Sequence, residues 1–231
     1  FTAHIPWSEV VNLALNQPEV YAEKLSAAAP TITSFGGAFL LMLATSFFFD
    51  KRRGVHWFGY IEEPMSRFGF TGVPFLITST VIVALSLLPA NKHPNQTLIA
   101  GFVGVGLYIF VHVLSEIFSK TQKQKQKIKA QTGLVAFTSF LYLELLDASF
   151  SLDGVIGAFA VTNQVLLIAA GLGIGAIWVR SLTIFMVRRG TLKNYRYIEH
   201  GAFYTVSILA FILLLESLMH IPEAVAGILG V

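Results

Sequence analysis

Three carboxylates, Glu144, Asp147 and Asp153, stand within "ELLDASFSLDGVIGAF" (residues 144–159), flanked by Leu, Val, Ile and Phe. An acid in such surroundings is costly unless a cation or polar groups meet it. On an ideal helix residues 144, 147, 151 and 154 share a face, which groups Glu144, Asp147, Ser151 and Gly154. Asp153 is six residues beyond Asp147, turned roughly 240° away at 100° per residue. Both aspartates reach one site only if the helix opens between them. "SFSLDG" suits such an opening, because serine hydroxyls rebond freed backbone groups and Gly154 and Gly157 weaken the helix. Interrupted helices that expose carboxylates and backbone carbonyls at mid-membrane are how transporters build cation sites. All the candidate ligands are oxygens, a set that suits a hard divalent cation such as Mn²⁺, Mg²⁺ or Ca²⁺. The competing reading pairs one acid with Arg180, protonates another and sets the third at a helix end.

Arg180 is the one basic residue inside an apolar run. It reads either as an inward counter-charge that holds the empty site together or as a side chain that snorkels to the interface. Gly171 and Gly175, in "AAGLGIGA", have the spacing of close helix packing. His112 and Glu116 are four residues apart at the boundary of an apolar run and read as an interfacial pair. Glu199 and His200 open the last apolar run, where an acid favours a helix N-terminus. They read equally as a capping pair and as a gate, or the point where metal gains access. Asp50 and Glu216 read as interfacial.

The elements that must hold these residues follow from composition. The chain is 55% apolar and 13% charged, with a mean hydropathy of +0.68, well outside the range of soluble domains. Apolar runs long enough to cross about 30 Å of hydrocarbon predict an all-α, polytopic helical membrane protein. Spans are expected at 32–49, 73–89, 98–118, 133–162 with a break, 164–187 and 201–218, six in all. Residues 1–31, punctuated by Pro6, Pro18 and Pro30, predict an extramembrane or interfacial helical hairpin, which leaves 32–231 as the transmembrane domain. Thirteen of the sixteen basic residues fall in the loops after the first, third and fifth spans, including the "SKTQKQKQKIKAQ" tract at 119–131. This asymmetry places those loops in the cytoplasm of a bacterial inner membrane, with both ends of the chain outside. It also explains the basic pI of 9.2 without a nucleic-acid partner. The absence of cysteine excludes thiolate metal sites and thiol catalysis.

"LELLDASFSLDGVIGAFAVTN", followed by "VRSLTIFMVRRGTL" and "YIEHGAFY", closely resembles the TerC family of integral membrane proteins, in the branch long labelled a domain of unknown function. The match is specific from 141 to 205 and extends over most of the chain. It implies a relation to tellurium resistance and to manganese exporters of the broader LysE type. By resemblance Asp147 and Asp153 form the second of two acidic motifs, and Arg180 is the arginine of the following helix. Gly154 stands where other branches carry Asn or Ser, which leaves the metal open. The first acidic motif is absent from residues 1–40. "FGGAFLLMLATSFFFD" (35–50) and "EHGAFYTVSILAFILLLE" (199–216) share Gly-Ala-Phe near one end and an acid at the other, and would run in opposite directions. That is the pattern of an inverted repeat. The expectation is half of an inverted-repeat transporter plus linker helices, with two helices bearing the partner acids preceding Phe1.

The function expected is export of a divalent cation, Mn²⁺ foremost, through a mid-membrane carboxylate site. The alternative is a non-transporting scaffold or sensor in a metal- or tellurite-stress complex. No HExxH, GxSxG or paired intramembrane aspartate motif supports an enzyme. The metal is substrate, with no permanently bound cofactor. The expected partners are the lipid bilayer and either a second copy or stress-complex proteins.

Overall fold

The computed structural model describes residues 12–13, 16–51, 56–67, 72–124, 137, 164–190 and 197–218. All regular structure among them is helical: α1 (Pro18–Phe48), α2 (Gly59–Arg67), α3 (Val73–Leu87), α4 (Pro94–Gln124), α5 (Val165–Arg188) and α6 (Ile198–Glu216). Four helices are long and apolar enough to cross a membrane, over Ala27–Phe48, Pro94–Val113, Val165–Arg188 and Ile198–Glu216. They fall within a few residues of the expected spans. α3 coincides with a fifth, but its 15 residues rise only about 22 Å. The expected broken span at 133–162 lies outside the described residues apart from position 137.

The chain departs from expectation at Pro30. Instead of a hairpin ending there, α1 runs unbroken through the boundary drawn at residue 31, with Pro30 inside it. A proline costs a helix one backbone donor. Apolar spanning helices tolerate this because neighbouring helices and Ser/Thr side chains satisfy the freed groups.

α1 is the hub. Ala38, Phe39, Leu40, Leu41, Met42, Leu43 and Ala44 are consecutive and all buried, so no side of the helix is left for solvent or lipid. A helix apolar all round is a core helix or a span, and here neighbours enclose it. α4 and α6 both pack against α1, α6 along its second half, and α3 packs on α4 and α1. Leu214 approaches Gly37 while Phe203 stacks on Phe47 at 3.7 Å, so α1 and α6 run antiparallel.

Among the described residues, close approach is made at Gly37, Gly101 and Gly104. A Cβ built on Gly104 would lie 2.3 Å from the Phe35 carbonyl oxygen, and one on Gly37 2.8 Å from Leu214 Cγ. Gly171 and Gly175 would meet nothing within 4 Å among the described residues. Their spacing matched the small-residue rule, but α5 is exposed over nearly its whole length and makes no extensive contact with another described helix.

Asn91 builds the tight connection between α3 and α4. Its amide nitrogen donates to the Leu85 carbonyl and to Thr97 Oγ1, both at 3.1 Å. Its amide oxygen accepts the His93 N–H at 2.8 Å. One buried side chain thereby serves the end of one helix and the start of the next, where backbone groups lack intrahelical partners. Asn91→Ala is expected to cost about 2 kcal/mol, since it orphans buried polar groups. Thermal unfolding of the detergent-purified protein checks this, and an unchanged midpoint would refute it.

Candidate carboxylate–imidazole site

The end of the bundle where α1 finishes and α6 begins holds a buried acid. Glu62, in the first turn of α2, is 2% exposed. Its position follows from local chain geometry. α2 starts after Phe58, whose carbonyl accepts the N–H groups of Ile61 and Glu62. The Glu62 carboxylate folds back over this turn and accepts the N–H of Trp57 at 2.9 Å and of Phe58 at 3.4 Å. An acid reaching back to orphan donors at a helix start is favoured by hydrogen bonding and by the helix dipole.

Tertiary packing supplies the rest. The Tyr204 hydroxyl of α6 donates to Glu62 Oε1 at 2.8 Å. His200 Nε2, one turn earlier on α6, lies 3.4 Å from Glu62 Oε2. His56 Nδ1, on the connection before α2, lies 3.7 Å from the same oxygen. Aromatic rings enclose the group. Phe47 sets its edge against His200, Phe48 tilts against Tyr204, and Trp57 and Phe58 meet Tyr204 edge-on. Burial, the largest single influence on Glu62, pushes its carboxyl up. The hydrogen bonds from Tyr204, Trp57 and Phe58, with the charge of His200, together outweigh it and hold the group below the ordinary glutamate range.

The Glu62 oxygens are thus engaged by three hydrogen-bond donors. Among the described residues no group of three or more His, Cys, Asp and Glu side chains is arranged to hold a metal ion. The cluster is chemically a carboxylate facing two imidazoles, a set whose attraction changes with protonation.

The residues singled out in the sequence are distributed unevenly. Glu144, Asp147, Ser151 and Asp153 lie outside the described residues. Arg180 is exposed on α5, and its expected acidic partners are among those undescribed positions. Glu199 and His200, adjacent in sequence, are separated by the fold: His200 is 4% exposed, whereas Glu199 is exposed in the first turn of α6. His112 is exposed and stacks on Tyr108, and the side chain of Glu116 is undescribed. Asp50 and Glu216 stand at the ends of α1 and α6.

Glu62 and His56 escaped the sequence reading. The available signal was "HWFGYIEEP" (56–64), where aromatic residues crowd two acids in a connection that is otherwise polar.

With the helical architecture and this cluster defined, comparison with known families is decisive on one point. The chain belongs to the DUF475 family. The model described as "Protein of unknown function (DUF475)" matches residues 1–231 in full. No curated protein and no solved structure matches the chain. As a DUF475 protein, its architecture is all-helical among the described residues, with four helices able to cross a membrane.

Proposed function

We propose that this DUF475 protein is a membrane transporter that exports a divalent cation, with Mn²⁺ as the foremost substrate, and that it is functionally related to the TerC proteins its sequence resembles. The observation that carries this reading is the acidic stretch at 144–153, set in an apolar sequence between α4 and α5. Asp147 and Asp153 are assigned as charged ligands, with Glu144 and Ser151 as further oxygen donors. Arg180 is assigned as the cation that balances the acids when the site is empty. Helices long enough to cross a bilayer on both sides of the stretch support the reading, since they make the sequence around it that of a membrane protein. The Lys/Arg-rich connections are assigned to the cytoplasm. The similar patterns at 35–50 and 199–216 lie on α1 and α6, which pack antiparallel, an arrangement compatible with inverted repeats.

Proteoliposome flux tests the proposal. The natural protein, with any segment that precedes Phe1, is expected to move Mn²⁺, whereas residues 1–231 alone are expected to move none. In the natural protein Asp147→Asn and Asp153→Asn are each expected to reduce the initial rate by at least roughly tenfold while the protein still inserts and folds. Removing a ligand charge weakens a hard-cation site, whereas helix insertion does not depend on that charge. Full transport by both variants overturns the site assignment. Mn²⁺ binding by the wild type without flux favours the scaffold or sensor reading instead.

A further inference from the structure

We infer that the Glu62 cluster is a proton-responsive latch, which fastens α2 and its preceding connection to the first turns of α6. The proton is its ligand. The inference stands apart from the transport reading, because none of its residues belongs to the acidic stretch at 144–153.

Three features of the geometry carry it. First, the latch adds polar contacts between α2 and α6 to the ring contacts that Trp57 and Phe58 make with Tyr204. α2 makes only sparse contact with α1, and Tyr204 lies 142 residues from Glu62. The Tyr204 hydrogen bond and the His200 contact are thus polar attachments of α2 to α6, while His56, on the connection itself, faces the same carboxylate oxygen. Second, Glu62 is 3% exposed at its side chain and His200 is 5% exposed, so their attraction is little screened by solvent. Third, a short path leads outward. His56, facing the same carboxylate oxygen, is 24% exposed, so a proton reaching the cluster first meets a partly open imidazole.

Among the described residues, the titratable groups facing the carboxylate are His56 on the connection and His200 and Tyr204 on α6, with Tyr197 against the His200 ring. α1 presents the rings of Phe47 and Phe48, which do not titrate. On α2 itself Glu63 and Arg67 pair with each other on the exposed side, and Glu199 is exposed at the start of α6.

The direction follows from the charges. Hydrogen bonds hold Glu62 ionised, and imidazole is the side chain that ordinarily gains its charge near neutrality. Each imidazole protonated beside the carboxylate converts a neutral contact into a charge-assisted one, which is shorter and stronger. Acidification in this range tightens the latch, and alkalinisation loosens it. Only when pH falls far enough to protonate Glu62 itself does the attachment fail.

The lack of native cysteine allows a direct test. Spin labels are placed on Tyr60→Cys, at a fully exposed position of α2, and Ala202→Cys, at an exposed position of α6. Their separation is measured by pulsed dipolar spectroscopy in lipid nanodiscs. Going from about pH 8.5 to about pH 5.5, the ratio of docked to undocked α2 is expected to rise roughly fivefold. In a His200→Gln background the rise should fall to less than about half of this, and His56→Gln should reduce it less, because His56 lies on the connection itself and does not bridge to α6. A wild-type distance distribution that ignores pH overturns the latch. So does an undiminished response in both histidine variants, which would place the sensing group elsewhere.

Discussion

Gly104→Ala is expected to disrupt the bundle although it adds a single methyl group. A Cβ at this position would lie 2.3 Å from the carbonyl oxygen of Phe35 on α1, 3.2 Å from its carbon and 3.3 Å from the Phe39 nitrogen. All three are backbone atoms of a buried helix, so no flexible side chain can yield. The methyl must push α4 away from α1 along their shared length. Helices in lipid gain little from hydrophobic exclusion and are held by close van der Waals fit. A gap opened at one point therefore loses contacts above and below it. Alanine's better helix propensity returns about 1 kcal/mol, while overpacking against a rigid partner costs about 3 kcal/mol or more. The net loss expected is about 2 kcal/mol, read as a lower unfolding midpoint in detergent. Gly106→Ala is the control, because nothing described lies within 4 Å of its Cβ, and it should be neutral or slightly stabilising. Equal midpoints for Gly104→Ala and Gly106→Ala would show that α1 and α4 do not meet at this glycine.

Glu62→Ala should weaken the end of the bundle where α1 and α6 meet by about 3 kcal/mol, the cost of leaving partners of a buried charge uncompensated. It removes the acceptor for the Trp57 and Phe58 N–H groups and for the Tyr204 hydroxyl. Tyr204→Phe, which deletes one of these bonds and keeps the ring, should cost about 1 kcal/mol. Limited proteolysis in the connection before α2 reports the effect locally, and faster cleavage in the order wild type, Tyr204→Phe, Glu62→Ala is the expected result. The pH dependence has a definite sign. Because the folded protein lowers the Glu62 carboxyl, its contribution is complete above the ordinary glutamate value of about 4.3. It is lost as pH falls through the lower folded value. Below about pH 4.3, further acid should therefore speed cleavage in the wild type and change little in Glu62→Ala, whose contribution is already absent. The same acid response in both proteins would assign it to another group.

How much was legible in advance differs between these elements. Runs such as 201–218 announced their helices because length and apolarity alone identify a segment able to cross a bilayer, and α6 starts three residues before that range and ends two before it closes. Pro30 misled because proline is read as a break by its local cost, while α1 continues through it, as apolar spanning helices can. The spacing of Gly171 and Gly175 states what a helix permits and not which helix approaches, and among the described residues nothing meets them. The glycines in contact, Gly37, Gly101 and Gly104, gave no stronger signal.

The sequence by itself determined that the chain is helical and apolar enough to cross a membrane, where most helices begin and end, and how its basic residues are divided among the connections. These properties are local sums over neighbouring residues. Tertiary structure alone decided that α1 is the hub, that Glu199 and His200 part company, and that Glu62 meets His200 and Tyr204. The physical reason lies in the uniformity of apolar helices. A helix in a soluble protein marks its buried face by periodicity. Here α1 is apolar on every side, so its pattern cannot show which flank receives α4 and which receives α6. The Glu62 contact closes a loop of 142 residues, and neither end carries information about the other until the antiparallel packing of α1 and α6 sets the first turns of α6 beside α2.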